Sequence, residues 1–346
     1  QSLLSSWHDE NPCNFTGVAC NDFGAITHLN LSYLGLRGTL NSLNFSCLTS
    51  VVSFELANNS IYGSIPSSIG NLSKLNSLNL CFNELSGDIP PSIGMLESLH
   101  YLYLFANNLS GHIPKEIGRL DSLLELDFSI NKFTGPIPAS LGKLCNLTRL
   151  SISRNNISDS IPREISDLRN LEILYIWQNG LSGPIPSEIG RLTSLLELDL
   201  SKNNLIGSIP RSIRNLRNLQ VLYIWQNGLS GPIPSEIGRL TSLLELVLSK
   251  NNLIGSIPRS IRNLRNLHVL YIWQNGLSGP IPSEIGRLTS LLEIDLSENN
   301  LIGSIPRSIG NLSSLSLLSL SQNNLTGPIP TSLGKLVNLT KLSISR

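Results

Sequence analysis

The segment YIWQNGLSGPIPSEIGRL occurs three times without change and supplies the side chains best suited to bind another molecule. The copies begin at Tyr175, Tyr223 and Tyr271, at intervals of 48 residues. Tyr and Trp each combine a large apolar face with a polar tip, which is typical of binding interfaces. Acidic segments lie between the copies, and their carboxylates could pair with basic groups of a ligand. The residues that we predict to bind a ligand are Tyr175, Trp177, Glu197, Asp199, Tyr223, Trp225, Glu245, Tyr271, Trp273, Glu293 and Asp295.

Two explanations account for the identical copies. One is a ligand that contacts alternating aromatic and acidic rows. The other is recent duplication of a 48-residue unit, in which the aromatic residues were copied without selection for binding. We favour binding, because contiguous exposed patches of large apolar side chains mark interaction sites.

Residue types that carry catalysis are present but are not grouped. The five histidines are spread over distant parts of the chain, and no phosphate-binding glycine-rich loop, kinase signature or GxSxG elbow occurs. The acidic rows would lie on an open surface without a pocket. We therefore predict that this chain is not an enzyme and holds neither a metal nor a cofactor. A formal net charge of +1 gives no reason to expect nucleic acid, and no apolar run is long enough to insert into a membrane.

A 24-residue period determines where these side chains lie. Leu198 and Leu200 alternate with polar residues, which predicts a short strand with one buried face. Asn203 follows at the end of that strand, where a buried amide can donate to and accept from backbone groups that the bend leaves unpaired. One repeat buries too few apolar side chains to fold alone, so the repeats must stack. The asparagines in phase with Asn203 are Asn59, Asn83, Asn107, Asn131, Asn155, Asn179, Asn227, Asn251, Asn275, Asn299 and Asn323.

The repeat pattern LxxLxxLxLxxNxLxGxIPxxIG resembles a leucine-rich repeat, and its GxIP segment resembles the plant-specific subclass. The resemblance implies a repeat solenoid of the α/β leucine-rich type. Its right-handed superhelix would have a parallel β-sheet on the concave face and 3-10 or irregular segments on the convex face. The predicted ligand-binding residues would then line the concave face. We expect an N-terminal cap over residues 1–24 and about 13 full repeats plus a partial one over residues 25–346, without a C-terminal cap.

The N-terminal stretch SLLSSWHDENPCNFTGVAC resembles the N-terminal cap of plant leucine-rich repeat receptor-like kinases. Its counterparts of the family's helix, Trp and disulfide would be Ser2 to Ser6, Trp7, and Cys13 with Cys20. The closeness of these two cysteines in itself suits a local disulfide in a secreted cap. The pairing of Cys47, Cys81 and Cys145 stays open. Because no closing cap precedes the end at Arg346, we interpret the chain as a fragment of a longer ectodomain.

Some repeats depart from the pattern. Asp159 stands where other repeats have the Gly of the GxIP segment, so its turn is expected to differ. Arg214, Arg262 and Ser166 replace a second Gly, the one at Gly190. Each would cost about 1–2 kcal/mol if that position requires a positive φ. The arginines of the repeated IPRSIRNLRNL segment are predicted to form a solvated convex face.

Acceptor sequences for N-glycosylation indicate a secretory route. None lies in residues 157–310, which also hold the aromatic rows. The gap is consistent with a surface that must stay bare, and copying of a unit without such sequences would also produce it. The candidate acceptors are Asn14, Asn30, Asn44, Asn58, Asn71, Asn108, Asn146, Asn156, Asn311, Asn324 and Asn338.

The resemblance to plant leucine-rich repeat receptor-like kinases implies a function as well as a fold. It implies an extracellular sensor domain that binds a secreted peptide or protein on its concave face and acts with a leucine-rich repeat co-receptor kinase. The parent protein would be a single-pass membrane receptor Ser/Thr kinase, with this domain on the extracellular face of the plasma membrane or in the cell wall. The alternative is a soluble inhibitor or kinase-less receptor-like protein in defence, of the polygalacturonase-inhibitor type.

Overall fold

The computed structural model describes residues 11–345, which form two compact units. Unit 1 runs up to Leu171 and unit 2 runs from Glu172. Both are built from repeats that contain a short strand, a bend, a second short strand and a 3-10 helix. Among the described residues, no helix has the length and apolar character needed to cross a membrane. The predicted cap helix Ser2 to Ser6 and Trp7 lie outside the described residues.

Unit 1 contains a main sheet whose strands follow one another in sequence order. The first two strands pair antiparallel, and the later pairs are parallel. The main strands are Val18–Cys20, Ile26–Asn30, Ser53–Glu55, Ser77–Asn79, Tyr101–Tyr103, Glu125–Asp127 and Arg149–Ser151. The second strands are Arg37–Thr39, Ser60–Gly63, Glu84–Gly87, Asn108–Leu109, Thr134–Gly135 and Asn156–Ile157. The 3-10 helices are Pro12–Asn14, Leu40–Ser42, Phe45–Cys47, Ser67–Asn71, Pro91–Met95, Lys115–Arg119, Ala139–Lys143 and Arg163–Asp167.

Unit 2 repeats the same arrangement with higher regularity, and all of its main-sheet pairs are parallel. The main strands are Ile173–Tyr175, Glu197–Asp199, Val221–Tyr223, Glu245–Val247, Val269–Tyr271, Glu293–Asp295, Leu317–Ser319 and Lys341–Ser343. The second strands are Ser182–Pro184, Asn204–Gly207, Gly228–Pro232, Asn252–Gly255, Gly276–Pro280, Asn300–Gly303 and Asn324–Leu325. The 3-10 helices are Ser187–Arg191, Arg211–Asn215, Ser235–Arg239, Arg259–Asn263, Ser283–Arg287, Arg307–Asn311 and Thr331–Lys335.

The core of each repeat is the apolar set that the period predicts. Leu198 and Leu200 are 1% and 0% exposed, while Glu197 and Asp199 on the opposite side of the strand are half-buried. Leu192 and Leu205 complete the buried layer. A single layer is thin, so each repeat depends on apolar contact with the repeats that precede and follow it.

The asparagine ladder is present and works as the pattern predicts. The Nδ2 group of Asn203 donates to the carbonyl oxygens of Ile176, Leu200 and Ser201 at 3.1, 3.0 and 3.1 Å. Its Oδ1 atom accepts from the amide of Leu181 at 3.1 Å. The bend itself is made one residue earlier, because Lys202 has a left-handed φ of 53°. Sequence inspection missed this feature, since no glycine marks the position.

The two substituted glycine positions have different physical roles. Gly207 has a φ of +77°, and Asp159 adopts the equivalent left-handed conformation with a φ of 66°. Gly190 does not have a positive φ, so the expected backbone strain at Arg214, Arg262 and Ser166 is wrong. A Cβ atom on Gly190 would instead lie 2.4 Å from the carbonyl oxygen of Ser212 in the next repeat. The glycine therefore serves close approach between neighbouring repeats.

Candidate functional site: the sheet face of unit 2

The predicted ligand-binding residues all lie on one side of the main sheet of unit 2, opposite the leucines. We call this surface the sheet face. The strand register brings the tyrosines of one repeat beside the acidic positions of the next: Tyr175 pairs with Asp199, and Asp199 pairs with Tyr223. Each of the predicted residues is half-buried. The sheet therefore holds these side chains in rows while it leaves part of each one accessible.

Each tyrosine of the repeated segment is hydrogen-bonded to a glutamate of the following repeat. The hydroxyl groups of Tyr175, Tyr223 and Tyr271 donate to the carboxylates of Glu197, Glu245 and Glu293. Burial and the hydrogen bond to Glu245 raise the pKa of Tyr223, and the same causes act on Tyr271 with Glu293. The phenols of Tyr223 and Tyr271 stay protonated as donors, and each pair places a ring beside a carboxylate.

Two of the tryptophans in the repeated segments, Trp225 and Trp273, are in contact with lysines. The Nζ atom of Lys202 lies 4.9 Å from the ring centroid of Trp225, and Lys250 lies at the same distance from Trp273. An ammonium over the face of an indole is a favourable cation–π contact. Sequence inspection did not assign these lysines a role. The sequence spacing does indicate these lysine–tryptophan contacts, because each lysine precedes a ladder asparagine by one residue and a tryptophan by 23 residues.

The three copies are not equivalent, because the rows between them differ. Asp199 and Asp295 each accept a hydrogen bond from the backbone amide two residues on, at 2.9 Å, whereas Val247 occupies the same place in the middle row. Val247 is flanked by Tyr223 and Tyr271. Burial raises the pKa of Asp199, although the hydrogen bonds from Ser201 act against that shift. The middle row of the sheet face therefore carries the apolar Val247 at the position where the acidic rows on either side carry Asp199 and Asp295.

A shallow cleft adjoins the sheet face at the bends of the repeats. It has a volume of about 770 Å³. Polar side chains dominate its lining, and none of them was among the predicted ligand-binding residues. Its lining residues are Gln178, Asn179, Lys202, Asn203, Asn204, Ile206, Gln226, Asn227 and Gly228.

Comparison with known families identifies the repeats. Residues 138–249 and 248–346 match the family described as leucine-rich repeat region, and together these segments cover more than half of the chain. The chain is a leucine-rich repeat protein. Residues 1–21 match the leucine-rich repeat N-terminal domain, and residues 50–72, 74–96, 98–120 and 122–144 match single leucine-rich repeats.

The relatives of this leucine-rich repeat chain are plant receptor-like kinases. The LRR receptor-like serine/threonine-protein kinase RGI3 of Arabidopsis thaliana is 39% identical over 77 residues, which are 22% of this chain and 7% of that relative. The crystal structure of PEPR1–AtPEP1 superposes with a TM-score of 0.93 and 32% identity, covering 99% of this chain and 52% of that chain. The ectodomain of the Arabidopsis receptor kinase HAESA, solved with an N-terminally extended IDA peptide hormone, gives a TM-score of 0.81 and 35% identity. That match covers all of this chain and 62% of HAESA's.

The candidate glycan acceptors are all exposed. Asn14, Asn30, Asn44, Asn58, Asn71, Asn108, Asn146, Asn156, Asn311, Asn324 and Asn338 lie at the surface. The gap among them has a local cause in the second strands of unit 2. Ile206, Ile254 and Ile302 occupy the third position of Asn-x-Ser/Thr there, and they are 56%, 55% and 50% exposed. Replacement of a hydroxyl residue by Ile thus removes an acceptor and adds an apolar side chain to the surface.

The cysteines fall into a bonded pair and three free thiols. Cys13 and Cys20 form a disulfide with a Cα–Cα distance of 5.6 Å. Cys47 and Cys145 are free and exposed, and Cys81 is free and buried. Burial raises the pKa of the Cys81 thiol to about 11, so it remains a neutral apolar group. Between residues 11 and 345, no group of three or more His, Cys, Asp or Glu side chains could hold a metal ion.

Proposed function

We propose that this chain is the extracellular ligand-binding part of a plant receptor-like kinase, and that it binds a secreted peptide or protein on the sheet face of unit 2. In this proposal residues 1–24 cap the repeats of residues 25–346. The leading observation is the set of three tyrosine–glutamate hydrogen bonds, each with a tryptophan two residues beyond the tyrosine, and with lysines over Trp225 and Trp273. This arrangement offers ring faces for apolar side chains and fixed carboxylates for basic ones.

The partners of similar proteins support this proposal. The PEPR1 structure is a complex with AtPEP1, and the HAESA structure holds a peptide hormone. Peptide recognition by an extended sheet face needs little rearrangement of a rigid repeat array, because the side chains are already fixed in rows. We further propose that a leucine-rich repeat co-receptor kinase acts with this chain and that the parent receptor lies at the plasma membrane, facing the cell wall. The exposed glycan acceptors are consistent with that location.

The charge pattern predicts the kind of peptide. Glu197, Glu245 and Glu293 keep acceptor capacity on their carboxylates beyond the tyrosine hydrogen bond. Val247 offers an apolar contact between two tyrosine rings. The expected ligand is therefore an extended peptide with basic residues on either side of an apolar one.

A peptide screen with matched variants tests the proposal. The chain is immobilised and titrated with synthetic 10- to 20-residue peptides that carry this pattern, beside scrambled and acidic versions. Replacement of Trp225 or Trp273 by Ala should weaken the selected peptide by about 2 kcal/mol, or roughly 30-fold in Kd, because an anchor aromatic is removed. Glu245→Gln with Glu293→Gln should reduce the preference for basic peptides and leave the rings in place.

The control variant is Arg217→Ala, which lies on the side that carries the 3-10 helices and should not change peptide affinity. Since the rows recur, a peptide can shift by one copy, so the quadruple variant of Tyr223, Trp225, Tyr271 and Trp273 to Ala is also measured. Unchanged affinity in this quadruple variant would show that the copies are duplication without a role in binding. In that case the ligand should next be sought at Tyr101, Tyr103 and Phe105.

A further inference from the structure

The side of unit 2 that carries the 3-10 helices has a band of exposed arginines, which we call the arginine strip. It combines the repeated IPRSIRNLRNL segments with the arginines of the repeats that follow each of them. The 3-10 helices that contribute to this strip contain two acidic residues, Glu236 and Glu284. Its members, all exposed, are Arg211, Arg214, Arg217, Arg239, Arg259, Arg262, Arg265 and Arg287.

The two glutamates do not neutralise the strip. Arg211 approaches Glu236, and Arg259 approaches Glu284, with Nε–Oε1 distances of only 3.9 Å in each case. The side chains of Arg211 and Arg259 are 84% and 83% exposed, so their guanidinium groups remain largely hydrated. Such loose surface pairs contribute little. The donors of the strip are therefore available to a ligand.

Arg214 lines a cleft within the strip. In most repeats this position is Gly, and a Cβ on Gly238 would lie 2.5 Å from the carbonyl oxygen of Ser260 in the next repeat. A cleft of about 680 Å³ is lined both by Arg214 and by Gly238, the glycine at the equivalent position of the following repeat. Three guanidinium groups, those of Arg214, Arg217 and Arg239, line it together with one carboxylate, Glu236. The remaining lining residues are Asn215, Ser235, Gly238, Ser260 and Asn263.

A second substitution removes glycan acceptor sequences from the same surface and adds positive charge to it. Asn71 and Asn311 close their 3-10 helices and are followed two residues later by Ser73 and Ser313, which complete glycan acceptor sequences. In the strip the serine is replaced by Arg217 after Asn215 and by Arg265 after Asn263. Each replacement removes a glycan site from the edge of the cleft and adds a guanidinium group. The fold does not require either change, since the serine repeats adopt the same 3-10 helix.

We propose that the arginine strip binds a linear acidic polysaccharide whose sugars carry carboxylates. A guanidinium forms two parallel hydrogen bonds to a carboxylate, and the neighbouring amides and hydroxyls can bond to sugar hydroxyls. The arginine set recurs after 48 residues, which matches a polymer with repeated charges better than a single small anion. The strip contains no Trp, Tyr or Phe on which bases could stack, and this argues against single-stranded nucleic acid.

The test measures binding of the whole chain, produced without glycans, to polygalacturonate at about 0.15 M salt. Methyl-esterified polygalacturonate and neutral dextran serve as uncharged comparisons, while dextran sulfate, polyuridylate and anionic vesicles present other anions. We expect binding to polygalacturonate that is lost on esterification and that weakens as salt rises. Tighter binding to sulfate, RNA or vesicles than to polygalacturonate would overturn the carboxylate assignment.

Variants locate the site. One set of variants removes four arginines of the strip: Arg214→Gly, Arg217→Ala, Arg262→Gly and Arg265→Ala. It should weaken polygalacturonate binding at least 10-fold. Glycine is chosen at positions 214 and 262 because neighbouring repeats have glycine at the equivalent positions. The matched set Lys74→Ala, Lys115→Ala, Lys132→Ala and Lys143→Ala removes the same charge from exposed positions of unit 1 and should change binding less than threefold. Equal losses in the two sets would reduce the effect to net charge and refute the site.

Two further double variants separate loss of polysaccharide binding from misfolding and from loss of peptide binding. Arg217→Lys with Arg265→Lys keeps the charge and should retain only part of the affinity, because lysine lacks the paired donors. Full retention would contradict bidentate carboxylate recognition. Trp225→Ala with Trp273→Ala should leave polysaccharide binding unchanged, so the polysaccharide site and the proposed peptide site can fail separately.

Discussion

Units 1 and 2 share one repeat architecture but use aromatic side chains differently on their sheets. In unit 1 the rings pack on one another: Phe82 and Phe105 form an edge-to-face pair with centroids 5.1 Å apart, and Tyr101 stacks with Tyr103 at 6.2 Å. Tyr103 also donates a hydrogen bond of 2.9 Å to the Glu125 carboxylate, as the tyrosines of unit 2 do to theirs. In unit 2 the rings recur every second repeat, and the intervening charged rows supply their partners. Unit 1 therefore combines one tyrosine–glutamate pair with a local cluster of rings, whereas unit 2 repeats the tyrosine–glutamate pair three times along its sheet.

The two units also differ in what covers their outer surfaces. Unit 1 carries exposed glycan acceptors from Asn14 to Asn156, and unit 2 carries them only from Asn311 onward. In the bare part of unit 2, hydroxyl residues of the acceptor sequences are replaced by isoleucine or arginine. The scaffold tolerates either residue because both positions face solvent. This difference in glycan acceptors therefore lies in exposed residues.

The largest expected effect tests whether the two scaffolds are equivalent. Replacement of Asn83 or Asn203 by Ala should each reduce the free energy of unfolding by about 3 kcal/mol, because the backbone partners of the amide are left buried and unpaired. Denaturant unfolding measures the loss. Asn204→Ala is the control, since Asn204 is exposed and should change stability by less than about 0.5 kcal/mol. A large cost in one unit only would show that the ladders are not equivalent.

The disulfide is expected to act on unit 1 alone. Replacement of Cys13 and Cys20 by Ser should destabilise the N-terminal edge by about 2–4 kcal/mol, because the unfolded chain regains the freedom that the bond removes. Hydrogen exchange should accelerate in Val18–Cys20 and Ile26–Asn30 and stay unchanged in Glu197–Asp199. Cys47→Ser, at an exposed free thiol, is the comparison and should have no such effect. Faster exchange throughout unit 2 would contradict a local role.

A smaller effect concerns Asp159, which stands where the neighbouring repeats of unit 1 have the turn glycine. Asp159→Gly should stabilise the protein by up to about 1 kcal/mol, since a non-glycine residue is strained at a φ of 66°. The reciprocal change Gly207→Asp in unit 2 should destabilise it by a similar amount. Thermal unfolding measures both shifts. If both variants shift stability in the same direction, left-handed strain is not the cause.

The smallest expected effect on stability comes from two carboxyl groups, one on the main sheet of each unit. Burial raises the pKa of both Asp127 in unit 1 and Asp199 in unit 2, so folding disfavours their ionised forms. The loss of folding stability caused by burying the ionised carboxylates is present at pH values above the folded-state pKa. It disappears at pH values below the ordinary carboxyl pKa. Asp199→Asn and Asp127→Asn should therefore slightly raise the melting temperature at pH 7 and give no gain at pH 3. An equal gain at both pH values would assign the effect to something other than ionisation.

Much of the architecture can be predicted from the sequence, because its determinants are local and recur. The alternation around Leu198, the apolar spacing and the position of Asn203 follow from the period of one strand and one bend, and twelve copies in phase leave little choice of register. The presence of tyrosine, tryptophan and glutamate on one face follows from the same alternation, so the candidate surface could be located before the fold was known.

Other properties depend on atoms that are distant in the chain and close in space. The tyrosine–glutamate pairs and the lysine–tryptophan contacts join residues 22 or 23 positions apart, and only the stacked sheet brings them together. The role of Gly190 is similar: its sequence position indicates a turn, while the structure shows close approach of the next repeat. What the sequence by itself determined is the repeat, its core and the residues that face outward. What only the tertiary structure decided is which outward residues pair and which arginines line a common cleft, because both depend on the distance between neighbouring repeats.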